Sequence, residues 1–300
     1  MHTLMGNSME NGIYAASLTP LNQDLSCNSE ELASHCLDLI ERGCKGVVLM
    51  GTTGEGPSFS TKERIEILKA VVDKGVDPQK ILVANGAANI PETIDLTRAA
   101  LNLNISTMLI CPPSFFKNVS EEGVIAFYRE IIRRVDHPNL RIILYHIPQY
   151  SGVPITLKIA ETLHSQFPNT VIGIKESEGN LPLAKAMIDQ LPHFKVFVGS
   201  ERQIIEATFY GAAGSICGLA NLYPELICSL LSQGKQSLRE NPRELTAFFE
   251  ARNGYPFISV CKAVMEKRRG SVWHALRPPL VPLTTEEKEA FFSAKHSRSE

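Results

Sequence analysis

The sequence predicts a (β/α)8 barrel followed by a C-terminal helical extension, and three observations carry that expectation. Eight short apolar segments recur along the chain, at Ile13–Leu18, Gly46–Leu49, Ile81–Asn85, Thr107–Ile110, Arg141–His146, Val171–Lys175, Lys195–Gly199 and Gly214–Ile216. Stretches of helical period separate them, and strict strand–helix alternation implies a parallel sheet, because a parallel crossover needs a long connection. The eight units occupy about 220 residues, the count of a closed barrel. A doubly wound sheet is the structural alternative, but it carries a glycine fingerprint after its first strand, and Thr19-Pro20-Leu21-Asn22-Gln23-Asp24 contains no glycine.

The sixth strand is a run of Val and Ile bounded by glycine and polar residues, the pattern of a strand buried on both faces. The first helix, Ser29–Arg42, presents Leu32, Cys36, Leu39 and Ile40 on one side. The second, Thr61–Asp73, presents Ile65, Leu68 and Val72, and Ser60-Thr61-Lys62-Glu63 is a capping box that fixes its start. Glu92–Leu103, Glu121–Val135, Leu157–Gln166, Leu181–Asp189 and Arg202–Tyr210 complete the barrel helices. From Leu222 onward the strands stop. Pro224–Gln233, Pro242–Asn253, Ser259–Arg268 and Thr285–Ala294 read as helices, with Pro278, Pro279 and Pro282 breaking the chain before the last. No polar linker intervenes, so residues 1–221 are expected to form the barrel and 222–300 an extension packed on it.

Composition narrows the function. Net charge is -2 with both signs spread along the chain, and the longest basic cluster is Lys267-Arg268-Arg269, so no nucleic-acid or membrane surface is expected. No apolar run approaches the roughly 18 residues of a membrane span. Met1 to Asn11 is polar and lacks the apolar stretch of a signal peptide, which points to a cytoplasmic protein. Cys27, Cys36, Cys44, Cys111, Cys217, Cys228 and Cys261 are odd in number with no C-x-x-C pair, and read as small core residues in a reducing compartment. The eight histidines include no H-E-x-x-H and no close pair, so no metal centre is expected.

In a barrel, functional groups gather at the C-terminal ends of the strands. Lys175 closes the apolar run Thr170-Val171-Ile172-Gly173-Ile174-Lys175-Glu176. Apolar surroundings disfavour the ammonium, and a neutral amine is what forms a Schiff base with a carbonyl substrate. A lone strand-end lysine more often snorkels to solvent, so its neighbours decide. Strand two runs into Gly51-Thr52-Thr53-Gly54-Glu55-Gly56, whose N–H groups and two threonine hydroxyls suit a small carboxylate. This is neither a P-loop nor a G-x-G-x-x-G. Strand five ends at Tyr145-His146, where a tyrosine hydroxyl can give and take a proton, although alone such a residue more often fills the rim structurally. Glu176 reads as a solvated carboxylate. The glycine loop, Tyr145 and Lys175 thus converge on one rim.

The string Gly51–Gly56, the pair Tyr145 and Pro148, and Gly173-Ile174-Lys175-Glu176 at these separations resemble the dihydrodipicolinate synthase / N-acetylneuraminate lyase family. Gly199-Ser200 and Gly211-Ala212-Ala213-Gly214-Ser215 fit its seventh and eighth strands, and the similarity reaches Pro256–Met265 and Leu280–Leu283. The resemblance implies class I aldolase chemistry on pyruvate or a larger 2-oxo acid, with no metal or organic cofactor. It implies that Lys175 forms the imine, that Thr52, Thr53, Gly54 and Cys217 bind the substrate, and that Tyr145 shuttles protons with the Thr53 hydroxyl as partner. It also implies a homotetramer, in which Phe115-Phe116 would suit a buried contact.

Departures from the family pattern bear on specificity. Synthases of this family carry a second tyrosine after strand four and an arginine shortly after the strand-five tyrosine; Phe116 and Tyr150 stand in those places. Ser151-Gly152-Val153 looks more like the sialic acid lyases, which place two acidic residues after strand seven, where Gly199-Ser200-Glu201-Arg202 keeps one. Phe116, Tyr150, Ser151 and Arg202 are therefore the candidate specificity positions, with Arg202 a carboxylate partner approaching from another side. The leading expectation is a Schiff-base lyase or aldolase acting on pyruvate or a 2-keto-3-deoxy acid. The synthase condensing pyruvate with aspartate semialdehyde comes second. A dehydratase on the same imine and a non-catalytic 2-oxo-acid-binding barrel are the further readings.

Overall fold

A computed structural model describes residues 9–86, 88–236 and 240–299. Strands β1 (Gly12–Ala16), β2 (Gly46–Leu49), β3 (Ile81–Asn85), β4 (Thr107–Ile110), β5 (Arg141–His146), β6 (Val171–Glu176), β7 (Lys195–Val198) and β8 (Gly214–Cys217) are all parallel and close in sequence order, with β8 pairing β1. The molecule is a TIM barrel. Around it lie α1 (Ser29–Glu41), α2 (Thr61–Asp73), α3 (Ile90–Asn102), α4 (Glu121–Val135), the single turn α5 (Pro148–Ser151), α6 (Leu157–Gln166), α7 (Leu181–Gln190) and α8 (Ile204–Phe209). A C-terminal helical part follows: α9 (Pro224–Gln236), α10 (Arg243–Arg252), α11 (Phe257–Arg269) and α12 (Thr285–Ser299). No helix among the described residues is long and apolar enough to cross a membrane.

Strand alternation divides the core. Tyr14, Val48, Leu82, Leu109, Ile143 and Phe197 pack together inside the barrel, while Ile13, Val47, Val83, Leu144, Ile174 and Val198 join the larger core beneath the helices. Asn28, Ser60, Asn89, Ser120, Thr156 and Asn180 each cap a helix by accepting the backbone N–H three residues on. Such a cap contributes about 1 kcal/mol and fixes where each strand-to-helix loop must end. The rim of the barrel is thereby set by local sequence.

One irregularity positions the chemistry. Between β5 and β6, Ile142 faces Val171 and Ile143 faces Gly173, so Ile172 is an extra residue. A one-residue slip exchanges the two faces of everything that follows. Beyond the bulge Tyr145 and Lys175 are register partners, side by side on the barrel face, and His146 pairs with Glu176 on the other.

Several expected elements shift. β1 ends at Ala16 rather than Leu18, because the Leu18 N–H leaves the sheet to donate to Asn221 Oδ1 at 2.9 Å. The stretch expected as one helix from Arg202 begins instead with a 3-10 turn, Glu201–Gln203, before α8. In α2 the buried face carries Arg64, Ile67, Leu68 and Val71, whereas Ile65 and Val72 are only half-buried. That rotation brings an arginine inward.

Candidate active site

Lys175 is 6% exposed, and its Nζ donates to Tyr145 Oη at 3.3 Å while lying 4.4 Å from the ring centroid. Tyr145 Oη in turn shares a hydrogen with Thr52 Oγ1 at 3.3 Å. Amine, phenol and alcohol form one continuous chain across β6, β5 and the β2 loop. The hydroxyl that meets Tyr145 is therefore that of Thr52 and not of Thr53. Thr53 turns toward the end of β8, where a Cβ on Gly218 would stand 3.3 Å from its Oγ1.

The loop owes its shape to its backbone. Met50 and Glu55 hold left-handed φ values of 59° and 58°, a conformation that strains non-glycine residues. Between them the chain folds on itself: Gly56 N–H donates to Gly51 O at 2.9 Å and Glu55 N–H to Thr52 O at 3.1 Å. A Cβ on Gly56 would stand 1.8 Å from Met50 O, so only glycine fits. The strain is offset from outside the barrel. Glu55 forms a fully buried ion pair with Lys262 of α11 at 2.5 Å, and its other oxygen accepts Arg277 N–H at 2.8 Å. Arg277 then donates to Ser58 O at 2.7 Å and stacks 3.8 Å from the Phe59 ring centroid. The C-terminal helical part clamps the loop that carries Thr52.

A cavity of about 210 Å³ opens beside this chain, lined by Thr52, Tyr145, Arg64, Ser114, Tyr150 and Ser151 among others. Tyr150 is largely exposed at its mouth, and Ser151 is buried, its Oγ donating to Ile147 O or Val153 O. Lys117 Nζ donates to Ser151 O at 2.7 Å and also to Ser114 O, tying the two rim loops together. Gly54 O accepts from Thr19 Oγ1 at 2.7 Å, and the Cys217 side chain lies in the core beneath the helices, with burial pushing its thiol pKa up. Phe116 is 70% exposed on the β4–α4 loop. Arg202 is absent from the cavity: it is exposed, with its guanidinium 4.4 Å from the Phe249 ring centroid on α10. The arginine that does line the cavity is Arg64, which sequence reasoning passed over. Its signal was a cation adjoining the apolar stripe of α2.

Glu176 is fully buried rather than solvated. It accepts N–H bonds from Glu178 at 2.8 Å and Gly179 at 3.1 Å, with burial raising its pKa. His146 Nδ1 accepts Ile155 N–H at 2.9 Å, which leaves Nε2 to donate to Glu178 Oε2 at 3.1 Å. His146, Glu176 and Glu178 lie close enough to suit a metal ion, but both ring nitrogens are already engaged. Their arrangement fastens the loops behind Tyr145 and Lys175.

Comparison with known proteins agrees with this geometry. Residues 9–296 match the model of the dihydrodipicolinate synthetase family. The chain is 34% identical over 287 residues to an uncharacterised DapA-like lyase of Chloroflexus aurantiacus, covering 94% of this chain and 95% of that one. It is 28% identical over 286 residues to 4-hydroxy-tetrahydrodipicolinate synthase of Ligilactobacillus salivarius, covering 93% and 96%. Among solved structures, dihydrodipicolinate synthase from Agrobacterium tumefaciens superposes with a TM-score of 0.90 at 26% identity, over 97% of this chain and 100% of the other.

Proposed function

The chain belongs to the dihydrodipicolinate synthetase family and is a lyase, and from that premise we propose that it works through an imine between Lys175 and a 2-oxo acid. The substrate is pyruvate in the condensing direction and a 4-hydroxy-2-oxo acid of the 2-keto-3-deoxy type in the cleaving one. The observation that carries this reading is the chain from Lys175 Nζ through Tyr145 Oη to Thr52 Oγ1, each link 3.3 Å.

The Lys175 amine attacks the C2 carbonyl, and loss of water leaves an iminium. That cation draws in the electron pair of the C3–C4 bond. As the bond breaks, Tyr145 Oη accepts the proton of the C4 hydroxyl, and the aldehyde departs. The enamine that remains takes a proton at C3, and water hydrolyses the iminium to pyruvate and free amine. Tyr145 relays its proton along the Thr52 hydroxyl, a task that acid–base groups perform for roughly 10²–10⁴-fold in rate. The Gly51–Gly56 loop presents Thr52, Thr53 and its N–H groups to the carboxylate of the 2-oxo acid. The synthase reaction is the second reading, favoured by the similarity to 4-hydroxy-tetrahydrodipicolinate synthases and opposed by Phe116 and Tyr150 at two specificity positions.

The working unit is a homotetramer in the cytoplasm. Phe115 and Phe116 form an edge-to-face pair 83% and 70% exposed, an arrangement that is unfavourable in water and suited to a subunit contact. The test of the imine is hydrogen exchange at the pyruvate methyl group, followed by NMR in D₂O. The protein should catalyse exchange and Lys175→Met should not. Absence of exchange with the wild type would overturn the reading.

A further inference from the structure

We infer that Arg64 recognises the aldehyde half of the substrate through a carboxylate which that aldehyde carries. The inference rests on the imine reading above and names its substrate class, a dicarboxylic 4-hydroxy-2-oxo acid. Arg64 sits in α2, is 4% exposed, and lines the same cavity as Thr52 and Tyr145. Its Nη2 donates to Ala84 O at the end of β3, yet Nε is buried without any hydrogen-bond partner. Among the described residues no carboxylate forms an ion pair with it; Glu92 acts on it only at longer range.

An unpaired guanidinium kept out of water is unfavourable unless an anion completes it. Burial lowers its pKa to about 10, so it remains a cation at neutral pH. Arginine is also the side chain best shaped to take a carboxylate.

Part of the remaining lining is apolar. Met50, Pro57, Ala84 and Ile147 are apolar, and the Ser151 hydroxyl is occupied by backbone carbonyls. Glu201, the one acidic residue after β7, is buried and accepts Leu219 N–H at 2.7 Å. Ser114 and Tyr150 offer hydroxyls to any tail, whereas an anion also meets Arg64, which has no ion-pair partner among the described residues. In cleavage the C3–C4 bond breaks, the C4 oxygen becomes the aldehyde carbonyl, and its proton passes to Tyr145. The aldehyde that leaves keeps its carboxylate on Arg64.

The experiment measures kcat/KM for condensation of pyruvate with glyoxylate, succinic semialdehyde, glyceraldehyde and glyceraldehyde 3-phosphate, using wild type, Arg64→Gln and Arg64→Lys. The wild type should prefer a carboxylated aldehyde over glyceraldehyde by roughly 30-fold or more, the low end for a desolvated charge contact. Arg64→Gln should collapse that ratio, and Arg64→Lys should keep part of it. A wild-type preference for glyceraldehyde or its phosphate overturns the inference, however the variants fold. So does an equal loss on charged and neutral aldehydes in Arg64→Gln. Pyruvate methyl exchange needs no aldehyde: exchange with a flat acceptor profile defeats this inference alone, whereas no exchange defeats the imine reading.

Discussion

Lys262→Met should destabilise the protein strongly and loosen its grip on pyruvate, although Lys262 lies outside the barrel. The Lys262 ammonium is fully buried, 2.5 Å from Glu55 Oε1, and donates to Ala275 O at 2.6 Å. Truncation leaves the Glu55 carboxylate in the interior with the Arg277 N–H as its remaining donor, and orphans the Ala275 carbonyl. Removing one partner of a buried pair costs about 3–5 kcal/mol, and an unsatisfied carbonyl adds about 1–3. With water entering the vacated space to relieve part of this, a loss of roughly 4 kcal/mol is expected, a large share of the 5–15 typical of folded proteins. Glu55 holds a left-handed conformation three residues after Thr52, so its release should also raise KM for pyruvate. Adding Glu55→Gln should recover about 2 kcal/mol, because a neutral amide is cheaper to bury than an unpaired carboxylate. Urea unfolding of wild type, single and double variants supplies the test. A single variant within about 1 kcal/mol of wild type, or a double no more stable than the single, would refute the reasoning.

Tyr145→Phe should retain pyruvate binding and lose roughly 10²–10⁴-fold in turnover; near-normal turnover in a steady-state assay would contradict the proton relay. His35 is buried against Trp273 and bonded to Asn221 at 2.8 Å, and burial depresses its pKa from 6.5 to about 4. Because the unfolded state takes up a proton that the folded state resists, this stability is complete above pH 6.5 and is lost as pH falls toward 4, by about 3 kcal/mol. His35→Gln should flatten the stability profile across that window in urea titrations, and an unchanged slope would show that other groups govern it. Phe115→Asp with Phe116→Asp should dissociate the assembly in sedimentation experiments, and a wild type that sediments as a monomer would remove the proposed contact.

Much of the barrel was legible because its strands are short, largely apolar segments separated by stretches of helical period. Lys175 stood out as a cation ending such a segment. What lay hidden depended on phase and on distant partners. The bulge at Ile172 leaves no mark in a Val-Ile-Gly-Ile string, yet it decides which face Lys175 takes. Thr52 and Thr53 are identical neighbours, and only the folded loop separates the one near Tyr145 from the one near Gly218. In α2 the stripes through Ile65 and through Arg64 differ by one residue, and both contain Leu68. Following the more apolar stripe passed over Arg64 and left Arg202 as the cation considered for a distal carboxylate. Glu176 looked like a solvated acid because the N–H groups that donate to it come from the β6–α7 loop, and the partner of Glu55 lies far along the chain on α11.

Borohydride reduction in the presence of pyruvate, followed by peptide mass spectrometry, tests the imine most directly. Reduction should fix a pyruvate adduct on the peptide carrying Lys175 and on no other lysine, including the buried Lys262. An unmodified Lys175, or equal labelling of several lysines, would contradict the mechanism.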